Sequence, residues 1–468
     1  MWEIFQSARL RRLFLAETVL LFLVAVLCVR LRIGSGYPGV PPMVELWAYW
    51  TEALTAGIAI PVAVQLAMYY LGLYADTPPG SRTQLLVRIH LAHFVAGVAL
   101  ALLFYVFPGV RLQRLALLLS LAIGQWLLFS LRCHFEEVLL TGNWRRRVLL
   151  LGTGGLAQQI GRWLLSRPGA GYELAGFLSP QDPEMAQTIC GRPVLGSYQE
   201  IAEAIHRHNI TDVVYSLEDS RSDDSLMSRL LSVKVTGIEV WSALAFTAEL
   251  THSLPIELLH PADVVFDAGF TPSKWTVALK RLNDVVLSLI ALLVVSPILL
   301  VVALLIRLDS PGPALYKQAR VGLRGRLFTI YKFRSMRVSK PGEPMRLTAH
   351  NDDRVTRVGR FIRLHRIDEL PQFFNVLLGD MSLVGPRPEV ESSVQELRQT
   401  LPFYDQRHAI RPGITSLGQV RFGAATTLSE ARERLKYDLY YQKNMSIAFD
   451  LSILIDTVKV VLLKIGAR

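Results

Sequence analysis

Two adjacent acids, Asp368 and Glu369, stand in a stretch of the chain, residues 359–389, that also carries many basic side chains. An ionised carboxylate can attack phosphorus or carbon, and it can also hold a hard cation such as Mg²⁺. Arginine offers planar, paired donors to phosphate oxygens. Arginines precede the acids at intervals of three residues, at Arg354, Arg357, Arg360, Arg363 and Arg366, and Arg387 follows them within Gly385-Pro386-Arg387-Pro388. The composition of this stretch indicates chemistry on a phosphorylated substrate.

The acid pair is expected to begin a helix. The pattern from Asp368 to Leu378 has acids in the first turn, tolerates Pro371 there and reaches Gly379 as a stop. Because the N-terminus of a helix carries partial positive charge, we expect the two carboxylates to stay ionised. Adjacent residues on a helix point in different directions, so we expect split roles, with one nucleophile and one partner for a metal ion or leaving group.

On spacing alone, a second interpretation is equally open. The two acids would then only stabilise the start of a helix, and the arginines would face anionic lipid.

Further motifs accompany the acid pair in a fixed order along the chain. They are Ser296-Pro297 within an apolar run, Lys332-Phe333-Arg334-Ser335-Met336, Asp368-Glu369-Leu370-Pro371, Gly379-Asp380-Met381-Ser382-Leu383-Val384-Gly385-Pro386-Arg387-Pro388 and Arg411-Pro412-Gly413-Ile414-Thr415. From about Lys274 to the C-terminus, the chain resembles the bacterial sugar transferases, which are monotopic polyprenyl-phosphate hexose-1-phosphate transferases.

The resemblance implies a phosphoglycosyltransferase. Such an enzyme moves hexose-1-phosphate from a UDP-sugar to a polyprenyl phosphate, such as undecaprenyl phosphate, and releases UMP. This step initiates exopolysaccharide, capsule or O-antigen synthesis. Which hexose is transferred is not readable from the sequence, although glucose and galactose are the leading candidates.

The resemblance also implies roles for individual residues. Asp368 would be the nucleophile and form a covalent phosphosugar intermediate. Asp368 and Glu369 would hold Mg²⁺, or Glu369 would instead position the acceptor. Four basic residues would bind phosphates, namely Lys332, Arg320, Arg363 and Arg387.

Composition indicates a membrane protein with soluble parts. Of 468 residues, 51% are hydrophobic and 19% are charged, and the net charge is +11. This charge predicts anionic membrane lipids and phosphate-bearing substrates as partners, and no motif for nucleic acid is present. Three cysteines give neither a disulfide framework nor paired metal-ligand spacing, so we expect the soluble parts to be cytosolic.

Four apolar runs in residues 1–142 are each long enough to span a bilayer. They cover residues 13–29, 47–73, 85–107 and 112–131. Arginines flank the first run and follow the fourth, which favours both ends on the cytosolic side of the bacterial cytoplasmic (inner) membrane. We therefore predict an α-helical transmembrane bundle.

Residues 143–270 predict an α/β module with a parallel, doubly wound sheet. Strand patterns at 148–151, 174–178, 212–217 and 237–241 alternate with helical patterns. Gly152, Gly154 and Ala157 fit the Rossmann fingerprint for a dinucleotide. The acid expected at the end of the second strand is missing, because the strand runs into Ser179-Pro180-Gln181 and Asp182 comes too late. We expect a Rossmann-like, nucleotide-binding-like module with a regulatory or assembly role, and a homodimer through this module remains open.

Residues 271–468 would form the mainly α, monotopic catalytic domain. Its apolar run, residues 285–306, is interrupted by Ser296 and Pro297, and basic residues flank it on both sides. These features favour a re-entrant helix that enters and leaves by the cytosolic face. The alternative is a kinked ordinary span, which would place Asp368 outside the cell.

Two other functions compete with the transferase hypothesis. One is a membrane-bound nucleotide-sugar oxidoreductase that uses residues 152–157. The other is a non-catalytic scaffold or regulator of polysaccharide export.

Overall fold

The computed structural model describes the chain in segments and divides it into two compact units. The described residues are 8–33, 42–74, 82–106, 114–141, 146–166, 171–180, 188–215, 224–337, 352, 354–423 and 427–462. The first unit ends at Ala243 and the second begins at Leu244.

Four long helices open the first unit. They are α1 (Ala8–Ile33), α2 (Pro42–Tyr70), α3 (Arg82–Val106) and α4 (Arg114–Thr141). Each contains a segment long and apolar enough to cross a membrane. The four predicted apolar runs are therefore helical except at some ends: residues 71–73 form a turn after α2. The predicted ends at Phe107 and Leu112 lie outside the described residues.

The interior of the four helices is mostly apolar, with one buried ion pair. Leu21, Ile60, Ile89 and Leu128 are each at most 1% exposed. Arg132 Nε donates to Glu17 Oε1 at 2.6 Å, and the Tyr74 hydroxyl donates to Glu17 Oε2 at 2.5 Å. Arg132 Nη1 also donates to the carbonyl oxygen of Leu73 at 2.7 Å.

A six-stranded sheet follows, in the order β3-β4-β2-β1-β5-β6. Its strands are β1 (Arg146–Leu151), β2 (Tyr172–Ser179), β3 (Thr188–Ile189), β4 (Arg192–Ser197), β5 (Asp212–Tyr215) and β6 (Glu239–Ser242). All neighbouring pairs are parallel except β3 with β4, which is antiparallel at the edge. The parallel strands that the sequence pattern predicts are thus present, in the order found in doubly wound sheets, although residues 216 and 217 of the predicted third strand lie outside the described residues.

Helices cover both faces of this sheet: α5 (Gly155–Ser166), α6 (Ile201–His208) and α7 (Asp224–Val235). Gly161 of α5 lies against Phe177 of β2. In contrast, Leu149 shares a core with Ile205 of α6 and Leu230 of α7. Because alternate strand residues face opposite sides of a sheet, α5 covers one face and α6 and α7 cover the other.

The second unit is mainly helical. Its helices are α8 (Ala243–Thr251), α9 (Pro261–Phe266), α10 (Lys274–Asp309), α11 (Arg357–Leu364), α12 (Gln372–Leu378), α13 (Glu391–Thr400), α14 (Leu417–Arg421), α15 (Leu428–Lys443) and α16 (Ile447–Leu462). Its short strands pair antiparallel as β7 (Leu315–Val321) with β8 (Leu327–Phe333), and parallel as β9 (Ser382–Val384) with β10 (Gly413–Thr415).

One buried core organises the second unit. Leu254, Val376, Met381, Leu439 and Phe449 are fully enclosed in it. The backbone N–H of Leu254 donates to the carbonyl oxygen of Lys436 at 2.9 Å. The segment 244–270, which the sequence pattern assigned to the central module, therefore packs here.

The helix α10 carries the apolar run of this unit. It is the fifth helix that is long and apolar enough to cross a membrane. Helical structure continues through Pro297, so the predicted interruption does not end the helix. The Ser296 hydroxyl donates to the Leu293 carbonyl oxygen at 3.0 Å, which satisfies an acceptor that proline at 297 leaves open.

Candidate active site

The acid pair lies on a short 3₁₀ turn between α11 and α12. The turn spans Ile367–Glu369, and Arg366 before it has a left-handed backbone with φ of 56°. Helix α12 starts only at Gln372, so the prediction that Asp368 begins this helix is wrong by one turn. The predicted stop is confirmed, because Gly379 ends α12 in the left-handed region with φ of 95°.

Three basic side chains surround Glu369, whose side chain is 11% exposed. Its Oε1 lies 3.2 Å from Arg387 Nη2 and 3.5 Å from Lys332 Nζ. Its Oε2 lies 3.8 Å from Arg366 Nη1. One carboxylate is thus contacted by residues of three segments, namely the turn, the end of β8 and the segment after β9.

These cations keep Glu369 ionised. Burial alone would raise its pKa, but Arg387, Lys332 and Arg366 outweigh that effect and lower the pKa of Glu369 to about 2. In return, Glu369 raises the pKa of Arg387 above its usual value. The expectation of an ionised acid is therefore met at Glu369.

Asp368 behaves differently from its neighbour. Burial and the adjacent negative charge of Glu369 raise the pKa of Asp368 to about 6, against the influence of Lys332, Arg363 and Arg366. Within the described chain, no donor forms a hydrogen bond to this carboxylate. Burial and repulsion between like charges therefore outweigh the nearby cations at Asp368. A carboxylate with a pKa near neutrality is both more basic than usual and still available in its ionised form.

Arg320 adds a further cation with spare hydrogen-bonding capacity. Its Nη1 donates to the carbonyl oxygen of Pro388 at 3.2 Å, and Glu389 Oε2 lies 3.9 Å away. Its Nε is buried and has no hydrogen-bond partner among the described residues. Burial lowers the pKa of Arg320 and of Lys332, so a bound anion would stabilise both charges.

The remaining predicted phosphate ligand, Arg363, lies on α11. It is half-buried and acts on Asp368 electrostatically, without a hydrogen bond to either acid in the described part of the chain. Two further residues belong to the cluster but were not assigned a role from sequence. The sequence signal for Arg366 is its place in the series of arginines, and that for Glu389 is its position directly after Pro388. Glu389 pairs with Arg434 at 2.8 Å.

Buried contacts fix the segments that carry the cations. Arg407 Nη2 donates to the carbonyl oxygen of Arg387 at 3.0 Å and pairs with Asp438 at 2.8 Å. Arg334, two residues after Lys332, donates to the carbonyl oxygens of Ser310 and Pro311 at 2.7 Å. The strand that bears Lys332 is therefore attached to the end of the apolar helix α10.

The other predicted residues are not part of this cluster. Gly152, with φ of 113°, and Gly154 lie between β1 and α5 of the first unit, and Ala157 is buried in α5. Ser296 and Pro297 lie in the middle of α10.

The donor set fits Mg²⁺ only in combination with substrate. Among the described residues, no group of three or more potential ligands comes together, and Glu369 already faces three cations. Mg²⁺ commonly binds one or two carboxylates together with substrate phosphates, and Asp368 offers such a carboxylate.

Comparison with known proteins places these observations in a family. A model described as bacterial sugar transferase matches residues 275–464, and one described as CoA-binding domain matches residues 70–231. A "UDP-N-acetylgalactosamine-undecaprenyl-phosphate N-acetylgalactosaminephosphotransferase" of Aeromonas hydrophila is 42% identical over 49% of this chain and 54% of its own length. A protein of Xanthomonas campestris pv. campestris named "UDP-glucose:undecaprenyl-phosphate glucose-1-phosphate transferase" is 35% identical over 67% of this chain and 66% of its own length.

A third relative carries the same name as the Xanthomonas protein. It comes from Escherichia coli (strain K12) and is 33% identical over 67% of this chain and 67% of its own length. The chain thus spans between about half and two thirds of the length of these relatives. The chain carries the acid–arginine cluster and covers two thirds of the length of the Escherichia coli relative. It therefore belongs to the bacterial sugar transferase family.

Proposed function

We propose that this protein transfers a hexose-1-phosphate from a UDP-sugar to a polyprenyl phosphate, such as undecaprenyl phosphate, and releases UMP. Relatives whose names state this reaction with glucose support the assignment. The reaction would start the synthesis of a surface or secreted polysaccharide.

One structural observation carries the proposal. A basic carboxylate, Asp368, lies beside an ionised one, Glu369, which is surrounded by cations. A diphosphate and a lipid phosphate repel each other, so bringing them together needs positive charge around a nucleophile. Lys332, Arg387 and Arg320 supply that charge.

The proposed chemistry has two displacements at the same phosphorus atom. A carboxylate oxygen of Asp368 attacks the phosphorus that bears the sugar, and the bond from this phosphorus to the oxygen shared with UMP breaks. An oxygen of the polyprenyl phosphate then attacks the aspartyl-linked phosphorus, which forms the lipid diphosphosugar and frees the Asp368 carboxylate.

Glu369 has a positioning role in this mechanism. Its negative charge holds Lys332 and Arg387 in place and, by repulsion, keeps Asp368 basic. The cations can then turn part of their hydrogen-bonding capacity towards phosphate oxygens, with the buried Nε of Arg320 as one donor. Arg363 contributes positive charge from α11.

Mg²⁺ is part of the proposal. Asp368, with Glu369 adjacent, and the phosphates of the donor would hold it. When bound, the ion neutralises the negative charge that develops on the phosphate oxygens.

The membrane arrangement is proposed on the same grounds. We place the protein in the bacterial inner membrane, with α1–α4 as a transmembrane bundle and both soluble regions in the cytosol, where nucleotide sugars are found. The basic flanks of α10, together with Ser296 and Pro297, favour a re-entrant path for this helix. The exposed Phe361 and Leu364 of α11 would contact the lipid surface beside it.

For the central module we propose a Rossmann-like regulatory or assembly role, including a homodimer. The left-handed Gly152 at the end of β1 and the start of α5 at Gly155 provide a backbone suited to a phosphate group. The strand β2 ends at Ser179 without the acid that a dinucleotide ribose needs, which disfavours redox chemistry.

A UMP-release assay tests the function. Purified full-length protein in lipid nanodiscs would be mixed with Mg²⁺, undecaprenyl phosphate and, in turn, UDP-glucose, UDP-galactose and UDP-N-acetylgalactosamine. We expect UMP and a lipid diphosphosugar in equal amounts with one of these donors. UMP formation that is independent of the lipid acceptor, or no UMP with any donor, would contradict the proposal.

A further inference from the structure

The strand β8 has an outer edge that no other strand covers in the described structure. It pairs with β7 on one side, with Tyr316 opposite Lys332 and Lys317 opposite Tyr331. The backbone groups of Thr329 and Tyr331 on its other side need partners, because unpaired backbone groups in a protein interior are costly.

The side chain of Asn375 fills this edge. Its Oδ1 accepts a hydrogen bond from the backbone N–H of Tyr331 at 3.0 Å, and its Nδ2 donates to the carbonyl oxygen of Thr329 at 2.7 Å. A C=O and an N–H two residues apart are the groups that a neighbouring strand would engage. The amide of Asn375 therefore stands in for a third strand.

The backbone of Asn375 also organises the helix that follows the acid pair. Its carbonyl oxygen accepts hydrogen bonds from the N–H groups of Gly379, Asp380 and Met381. The residue is fully buried. One residue therefore ends α12 with its main chain and holds β8 with its side chain.

This connection bears directly on the candidate active site. Asn375 lies six residues after Glu369, and its partner Tyr331 immediately precedes Lys332. Lys332 Nζ lies 3.5 Å from Glu369 Oε1, a separation long enough to change with a small movement of the strand. We propose that Asn375 is a positioning residue for the transferase reaction, which acts by fixing strand β8 so that Lys332 faces the acid pair.

The expected effect of Asn375 on turnover rests on the proposed function, whereas its expected effect on strand β8 does not. A purely structural role would mean that Asn375 only adds stability to the core. A positioning role means that its effect on turnover passes through Lys332, and a double-mutant cycle separates the two roles.

The experiment combines Asn375→Ala with Lys332→Met in the full-length protein. Val376→Ala is the matched control, because Val376 is the next residue of α12, is equally buried and has an apolar side chain that can form no hydrogen bond with the edge of β8. We expect Lys332→Met to lower kcat about 100-fold and Asn375→Ala about 10-fold, with the double variant within about threefold of Lys332→Met alone. Val376→Ala should lower stability, while its effect on kcat should multiply with that of Lys332→Met.

Hydrogen exchange provides a readout that needs no activity. In the absence of substrate, the Tyr331 amide should exchange at least about tenfold faster in Asn375→Ala than in Val376→Ala, since only the first variant loses the acceptor of this N–H.

Three outcomes would overturn the inference. One is a double variant about 1000-fold below the wild type, which would show independent effects, and another is equal exchange of Tyr331 in the two alanine variants. The third is a kcat for Asn375→Ala that matches Val376→Ala. If the wild-type protein transferred no sugar phosphate, the proposed function would fail, and the exchange rates would decide the role of Asn375 at the strand.

Discussion

Among the described residues, two buried glutamates have arginine partners, and their surroundings differ in kind. Glu17, among the apolar helices, accepts hydrogen bonds at 2.5–2.6 Å from Tyr74 and Arg132. Arg132 in turn donates to the carbonyl oxygen of Leu73. Glu369, in the second unit, faces three cations at 3.2–3.8 Å.

The two surroundings differ in whether charges and hydrogen-bonding groups are left without a partner. The Glu17–Arg132 pair has one charge of each sign and closely made hydrogen bonds, so it has little to gain from a ligand. Around Glu369 the cations outnumber the ionised acids, Arg320 Nε has no partner among the described residues, and Asp368 accepts no hydrogen bond there. The first arrangement stabilises a fold, and the second is arranged to receive an anion.

Replacing Asp368 by asparagine should give the largest effect on activity. The amide cannot attack phosphorus, so we expect turnover to fall by at least about 10³-fold, as is usual when a covalent nucleophile is removed. UMP release by the variant in nanodiscs measures this loss, and circular dichroism checks the fold.

The matched control is Asp405→Asn, which removes a carboxylate of an exposed pair with Arg398 in the same unit. We expect this control to keep turnover within about twofold, because exposed ion pairs contribute little. Turnover in Asp368→Asn similar to that of the control would remove Asp368 from the mechanism.

Arg132→Met should instead act on stability. It leaves Glu17 buried without its counter-charge, and breaking a buried pair in this way costs about 3–5 kcal/mol. The midpoint of denaturation in detergent measures the loss, and kcat per folded molecule should be unchanged. The double variant Glu17→Leu with Arg132→Met should lose less stability than Arg132→Met alone; a larger loss would show that the pair does not act as a unit.

The pH dependence of turnover sharpens the contrast further. Only the ionised Asp368 is a nucleophile, and its pKa is raised to about 6 by burial and by Glu369. We expect kcat/KM to fall about tenfold per pH unit below pH 6 and to level off above it. Glu369→Gln removes the repelling charge and leaves Lys332 and Arg387 to act on Asp368. The substitution should therefore lower the pKa of Asp368 and move the fall in kcat/KM to lower pH. An unchanged profile, or a shift to higher pH, would mean that the negative charge of Glu369 does not raise the pKa of Asp368.

Much of the architecture follows from local patterns in the sequence. Apolar runs of about 20 residues gave the membrane-length helices, and strand patterns such as the one ending at Leu151 gave the parallel sheet. Gly379 was recognisable as a helix stop from its residue type alone. Each of these features depends on residues close together in the chain.

The electrostatics of the acid pair could not be predicted in the same way. Lys332 and Arg387 reach Glu369 from 37 residues before it and 18 residues after it. Their approach separates the behaviour of two adjacent acids, which a local helix-terminus argument treats alike. The role of Asn375 was equally hidden, since asparagine in a short helix has no sequence signal that points to a strand edge.

The attachment of α12 to the apolar helix α10 has a practical consequence for studying this protein. Arg281, in the first turns of α10, donates to the carbonyl oxygens of Val376 and Leu377 at 2.5 and 3.0 Å. A fragment that starts after α10 would lose these two caps. Its helix beside the acid pair would fray, so a weak activity in such a truncated fragment would say little about the intact enzyme.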